Sequence, residues 1–267
     1  MKIFNFILVV FLCLVFFSLA HSLQPSGVTG LEEERSERAT PNEALSAEAL
    51  AGNVTELNIY GYSTTRAWQG YFGNVSGTIQ LAYGSEPGTN EYVFYNWSVV
   101  SPAGEVYAST NSSIQWENIQ CFNFSATGTY EEEIGNGGET NLHGTNLSIL
   151  ESEFGIWPGK ADSVNETFHL IGPGTHSSFF TAGKSFSEGQ CPNTRIFGAN
   201  GQGNPGEFEQ VLLYEPFSRS VVFSALLEEG GTLGFDGNTY DFQMLVLEDG
   251  HGTNVESTTY YFFVELE

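Results

Sequence analysis

Seven asparagines stand in the motif Asn-X-Ser/Thr, the acceptor for N-linked glycosylation, and this motif is the most specific chemistry in the sequence. It needs only an exposed side-chain amide and export of the chain. The acceptors are Asn53, Asn74, Asn96, Asn111, Asn123, Asn146 and Asn165. We expect covalently attached glycans at several of them. The alternative is a chain rich in Asn, Ser and Thr whose motifs are unused.

Cys121 and Cys191 are the two cysteines that remain once an N-terminal signal is removed. Two cysteines in an oxidising compartment usually pair, so we predict a disulfide between them. It would restrict the unfolded chain by about 4–5 kcal/mol. A metal site that combines these thiols with His143, His169 or His176 is the alternative, but no ligand pair has zinc-finger spacing. We therefore expect no metal and no cofactor.

Catalytic patterns find little support in the sequence. It contains no Gly-x-Ser-x-Gly elbow, no His-Glu-x-x-His pair and no Gly-rich phosphate loop. Two runs of glutamates, Glu131 to Glu133 and Glu228 with Glu229, could supply the acid and base of glycoside cleavage. Consecutive glutamates are more often solvated charge, so we expect no enzyme and no catalytic residue. An extracellular hydrolase is the third choice of function.

Tryptophans could stack on sugar rings, which makes a soluble carbohydrate-binding module the second choice. The four candidates are Trp68, Trp97, Trp116 and Trp157. Strand parity separates two of them, because successive side chains point to opposite faces. Trp97 shares its parity with Tyr95 and is predicted to lie in the core. Trp68 shares the parity of Asn74 and is predicted to be exposed.

The sequence predicts that most of these residues lie on or beside β-strands. The stretch "WQGYFGNVSGTIQL" alternates apolar and polar residues, as a half-buried strand does. Similar runs predict strands near 54–62, 68–83, 91–100, 104–110, 113–117, 165–171, 177–182, 208–215, 219–228, 240–248 and 257–266, separated by Gly-rich turns. These predict an all-β fold, an antiparallel β-sandwich of immunoglobulin-like or jelly-roll-like type, with a long irregular insertion at about 126–164.

The ends and the charge of the chain indicate its compartment and partners. Residues 1–22 are predicted to be a secretory signal peptide, residues 23–51 a flexible acidic leader, and residues 52–267 the β-sandwich. No second apolar run has membrane length, so we expect no transmembrane segment in the mature chain. The formal net charge of −24 argues against nucleic acid and anionic lipid as partners. The product should be secreted and extracellular, at the cell surface.

The segment "GNVTELNIYGYS" is predicted to be the first strand of the fold, on the flexible leader. Leu57 and Ile59 share one parity, while Tyr60 and Tyr62 share the other. A first strand on a tether can complete the sheet of a neighbouring copy through main-chain hydrogen bonds. These four residues are therefore candidates for an assembly strand that would join copies into a homopolymer. The alternative is that the strand pairs within its own domain.

Six stretches resemble a group of secreted archaeal β-rich proteins to which no activity is assigned. They are "AGNVTELNI", "WQGYFGNVSGTIQL", "GEVYAS", "NIQC", "DFQMLVLEDGHG" and "TTYYFFVEL". The resemblance covers residues 51–267 and implies an exported archaeal β-protein without implying an activity. Together with the glycan acceptors, the acidic surface and the missing catalytic pattern, it favours a structural protein of the cell surface, a subunit of a filament or coat.

Overall fold

The computed structural model describes the chain in six stretches. These are residues 24–83, 93–124, 147–156, 159–197, 206–248 and 257–267. Several predicted features lie outside them: the signal peptide, His143, Asn146, Trp157 and residues 126–146 of the insertion, which include Glu131 to Glu133. The statements that follow concern the six described stretches.

Strands dominate these stretches. They are β1 (Ser26–Gly27), β2 (Trp68–Gly73), β3 (Gly77–Ala82), β4 (Val93–Val99), β5 (Gly104–Ser109), β6 (Gln120–Cys121), β7 (Phe179–Thr181), β8 (Lys184–Phe186), β9 (Asn193–Ile196), β10 (Phe208–Glu215), β11 (Ser220–Leu226), β12 (Thr232–Leu233), β13 (Thr239–Tyr240), β14 (Phe242–Leu247) and β15 (Tyr261–Leu266). Two short helices, α1 (Leu147–Glu153) and α2 (Val164–Thr167), and one 3₁₀ turn, Trp116–Asn118, accompany them.

One antiparallel sheet organises the molecule. Its strand order is β1-β15-β5-β11-β10-β6, and β9 also pairs with β10. The strands β2 and β14 form a separate antiparallel pair, and β3–β4, β7–β8 and β12–β13 form three hairpins. The predicted all-β, antiparallel fold is confirmed.

The main sheet is covered on both faces by apolar side chains. On one face, Leu212 and Phe223 pack with Met244 and Val246 of β14 and with Phe168, which follows α2. On the other face, a second cluster joins the sheet to the 3₁₀ turn and to the β7–β8 hairpin; its members include Tyr107, Leu213, Trp116, Phe179 and Phe186. Burial on both faces explains why all eight residues of β10 are buried and why its sequence does not alternate.

A buried glutamine connects the β2–β14 pair to the main sheet. The Gln210 side chain on β10 is fully buried. Its Nε2 donates to the carbonyl oxygen of Leu245 on β14 at 2.7 Å, and its Oε1 accepts from the Leu245 amide at 2.8 Å. The side-chain amide of Gln210 thus provides hydrogen-bond partners for both the N–H and the carbonyl of Leu245, on the side of β14 that faces the main sheet.

Several predicted boundaries are wrong. The predicted strand 68–83 is two strands, because the Asp241 side chain accepts from the Val75 amide at 2.8 Å and the chain turns between β2 and β3. The predicted strand 113–117 contains buried Ile114 and Trp116 but forms the 3₁₀ turn. The predicted strand 165–171 begins in α2. Alternating burial in these two segments comes from turns packed on the core.

Candidate assembly site

The N-terminal arm, which we define as residues 24–35, lies on the edge of the main sheet. Ser26 pairs with Val264 and Gly27 with Phe263, and the Val28 amide donates to the Phe262 carbonyl at 3.3 Å. Pro25 beside this strand is buried. The predicted leader is therefore docked at its beginning, and β1 protects the edge of β15.

Arg35 holds the other end of the arm. Its guanidinium lies 2.9 Å from Asp236 and donates to the Tyr240 hydroxyl at 3.3 Å. It also lies over the ring of Phe72, 5.4 Å from the centroid. These groups belong to β2 and to the β12–β13 hairpin. An exposed ion pair contributes little stability, but the three contacts together define where the arm ends.

The linker, residues 36–64, follows the arm and has no helix or strand. All its side chains are exposed, including those of Ile59 and Tyr60, at 86% and 90%. The predicted strand 54–62 is absent from this chain, because nothing pairs with it in the described part of the protein. The assembly role of Leu57, Ile59, Tyr60 and Tyr62 stays a prediction, since a strand given to a neighbour is unpaired in a single copy.

The β3–β4 hairpin, which we call the apolar hairpin, has two unlike faces. Ile79 lies opposite Trp97 and Leu81 opposite Tyr95, and all four side chains are between 38% and 56% exposed. On the other face, Gln80 lies opposite Asn96. Neither strand contains a charged residue. An isolated two-stranded ribbon is only marginally stable. Packing of another surface against its apolar face would stabilise it.

Tyr95 and Trp97 form an aromatic pair on the apolar hairpin, with ring centroids 4.7 Å apart. Both predictions from strand parity are wrong. Trp97 is 49% exposed, because the hairpin lies outside the sheets that form the core. Trp68 packs between Phe168 and Phe223 and donates to the Asp162 carbonyl at 2.7 Å. Trp116 is buried.

The glycan acceptors differ in exposure. Asn53, Asn74, Asn96 and Asn165 are exposed, whereas Asn111 and Asn123 are half-buried. The Asn111 side chain donates to the Ser220 hydroxyl at 2.9 Å. A glycan can reach the four exposed acceptors without rearrangement of the chain.

Cys121 and Cys191 are joined in a disulfide, as predicted, across 70 residues of sequence. The bond excludes these thiols as metal ligands. His176 is buried and accepts from the Cys191 amide at Nε2, 3.0 Å away, so its Nδ1 donates to the Ser177 carbonyl. His169 is exposed. No group of three metal-ligating side chains occurs among the described residues.

A buried carboxyl cluster was not predicted from the sequence. Glu105 and Glu265 lie opposite each other on β5 and β15, and Tyr107 is within 3.3 Å of both carboxyl groups. Burial raises the pKa of Glu105 to about 8, helped by the charges of Glu267 and Glu265; burial also raises the pKa of Glu265. Glu105 is only 3% exposed, so it cannot contact a substrate.

Glu228 and Glu229 are neighbours in a loop after β11, and they differ in exposure. Burial raises the pKa of Glu228 to about 7, and the negative charges of Glu209 and Glu207 add to the shift. Glu229 is exposed. Glu228 is thus a partly buried acid in the field of other acids and of Arg195.

Comparisons with known proteins give no match that would assign a function to this site. In the six described stretches, no helix is long and apolar enough to cross a membrane. No protein-family model matches the chain. No curated protein matches it either, and no solved structure does.

Proposed function

We propose that this chain is a secreted, glycosylated structural protein of the cell surface. Copies of it assemble into an extracellular filament or coat through the N-terminal segment. The observation that carries the proposal is the exposure of every side chain from residue 28 to residue 66. Among them are apolar side chains that water solvates poorly, and pairing with a neighbouring copy would bury them.

The distribution of charge supports contact between copies. The chain has 32 acidic and 8 basic residues, so most of its surface repels a second copy. The two strands of the apolar hairpin contain no charged residue and present Ile79, Leu81, Tyr95 and Trp97. Burial of each aliphatic side chain contributes roughly 1.5–3 kcal/mol, which must offset the entropy of association. Two copies can therefore meet at this face without strong repulsion.

Sedimentation tests the proposal directly. Mature protein should form heavy species at high concentration that dissociate or shrink over about a hundredfold dilution. Negative-stain images of material shed by the source cells should show fibres or a lattice that contains the chain. A monomer that persists at high concentration, with no fibres on the grids, would reject the filament or coat.

A carbohydrate-binding module is the second candidate, and the exposed Tyr95–Trp97 pair favours it. Aromatic rings on a solvent-facing strand can stack on sugar rings. W97A should then abolish retardation of the protein in gels that contain a polysaccharide, while the variant at exposed Tyr261, Y261A, keeps it. Equal mobility of both variants and the original chain on every polysaccharide tried would remove this candidate.

A further inference from the structure

We propose that the subunits exchange the N-terminal arm, so that β1 of one copy lies on β15 of the next. This rests on the proposed function, because it names the contact by which assembling copies are joined. The contact differs from the one predicted at Leu57 and Ile59. It has a defined register, since Ser26 pairs with Val264 and Gly27 with Phe263.

Exchange preserves the contacts that the arm makes. β1 on β15, and Arg35 on Asp236 and Phe72, join the arm only to residues that follow the linker. An arm from another copy can make the same contacts in the same geometry. Exchange of an identical element is for this reason a low-cost route to assembly.

The linker is long enough to reach another copy. It comprises residues 36–64, which have no helix or strand and are exposed throughout. A flexible chain of about thirty residues spans about 30 Å on average and at most about 100 Å. A compact domain of about 200 residues has a radius of gyration of about 16 Å. The β15 edge of an adjacent copy therefore lies within reach of the arm.

Arm and acceptor edge are different surfaces, which gives the assembly a direction. Such head-to-tail contacts build an open chain unless the rotation between copies closes a ring. A copy's own arm competes, because the linker holds it near its own β15 edge at an effective concentration of about millimolar. Exchange prevails where copies are crowded or where neighbouring copies also bury the apolar hairpin.

Cysteine variants distinguish an arm that pairs with β15 of another copy from an arm that pairs with its own β15. Paired residues on antiparallel strands have Cα atoms about 5.5 Å apart, which is within disulfide range. Chains with S26C are mixed in denaturant with chains that carry V264C, with the Cys121–Cys191 bond kept oxidised, and are refolded together. S36C mixed with V264C is the matched control, since Ser36 lies in the exposed linker.

Exchange predicts a covalent S26C–V264C dimer at about tenfold or greater excess over the control mixture. Sedimenting polymers without this dimer would overturn arm exchange and leave the proposed function standing. Absence of both polymer and dimer would overturn both. A dimer in a sample that forms only closed pairs would support exchange and reject the filament.

A second measurement leaves the chain unaltered, which matters because V264C alters a half-buried position on β15. A synthetic peptide of residues 24–35 in excess should occupy the acceptor edge and shorten the polymers. A peptide with the same residues in scrambled order should have no effect. Polymers that keep their length with both peptides would overturn the proposal.

Discussion

Glu105 and Glu265 face each other across β5 and β15, an arrangement that two ionised carboxylates would oppose. A proton on Glu105 removes the repulsion. The same proton also supplies an additional hydrogen-bond donor. The Tyr107 hydroxyl has only one proton to donate, yet it lies near both carboxyl groups and the Thr181 hydroxyl. The native sheet therefore favours a neutral Glu105 under conditions in which an exposed glutamate is ionised.

This arrangement predicts stability that increases in acid. The fold raises the pKa of Glu105 from 4.5 to about 8, so between these values the native chain binds a proton that the unfolded chain releases. The contribution of Glu105 to the free energy of unfolding is then largest below about pH 4.5. It falls by roughly 1 kcal/mol per pH unit as the pH rises through the window. Denaturant midpoints from pH 4 to pH 9 measure it.

E105Q should flatten that dependence and stabilise the protein above about pH 8, because glutamine stays neutral. Its control is E48Q, which removes a carboxyl group from the exposed linker and should leave the slope unchanged. Equal slopes for E105Q and the original chain would contradict the assignment to Glu105.

Glycan attachment should follow exposure. Protein from its native host should exceed the polypeptide mass, with modified peptides at Asn53, Asn74, Asn96 and Asn165. Asn111 should be occupied less often, since its amide is half-buried and bonded to Ser220. Intact-mass and glycopeptide spectra test this, with bacterially expressed protein as the control. A single sharp peak at the unmodified mass would end the glycoprotein interpretation.

Among the elements, the junction between β10 and β14 depends on one side chain. Q210L should destabilise the fold by about 2–4 kcal/mol, because it leaves the amide and carbonyl of half-buried Leu245 without their side-chain partner. Chemical denaturation measures the loss. Q69L is the matched control, since Gln69 lies on β2 of the same pair and is exposed. A loss no larger than that of Q69L would show that water or relaxation replaces both bonds.

The disulfide should stabilise the fold by restricting the conformations of the unfolded chain. Removal of the bond between Cys121 and Cys191 in a double alanine variant opens a loop of 70 residues and should cost about 4 kcal/mol. The midpoint of thermal unfolding should fall accordingly, and reduction of the original chain is the parallel control. Unchanged midpoints in both experiments would mean that residual structure already restricts the unfolded chain.

Sequence patterns predicted the long strands and failed at short ones. β10, β11, β14 and β15 are apolar or alternating runs whose burial the residues themselves dictate. β1 consists of serine and glycine, which have little strand preference, and forms only because the β15 edge is free to pair. The Glu105–Glu265 pair depends on strand register across 160 residues of sequence, which composition and periodicity do not contain.

At the scale of the whole molecule, deletion of residues 23–62 removes both the arm and most of the linker. Assembly should be lost, and the exposed β15 edge should make the protein poorly soluble. A peptide of the missing strand should restore solubility. Light scattering and sedimentation measure both effects.

The matched control keeps the arm and scrambles residues 53–62. Normal assembly of this variant would contradict the assembly role predicted for Leu57 and Ile59. Normal assembly of the deletion variant would contradict any role of the N-terminal segment.

The disulfide also determines whether the two pieces separate when a protease cuts the chain. A cut anywhere between Cys121 and Cys191 creates two new chain ends but releases no fragment, because both pieces remain covalently linked. β6 and β9, which flank this interval, are both paired to β10. A subunit nicked there would keep its place in the proposed assembly, and the cut would be visible only after reduction of the disulfide.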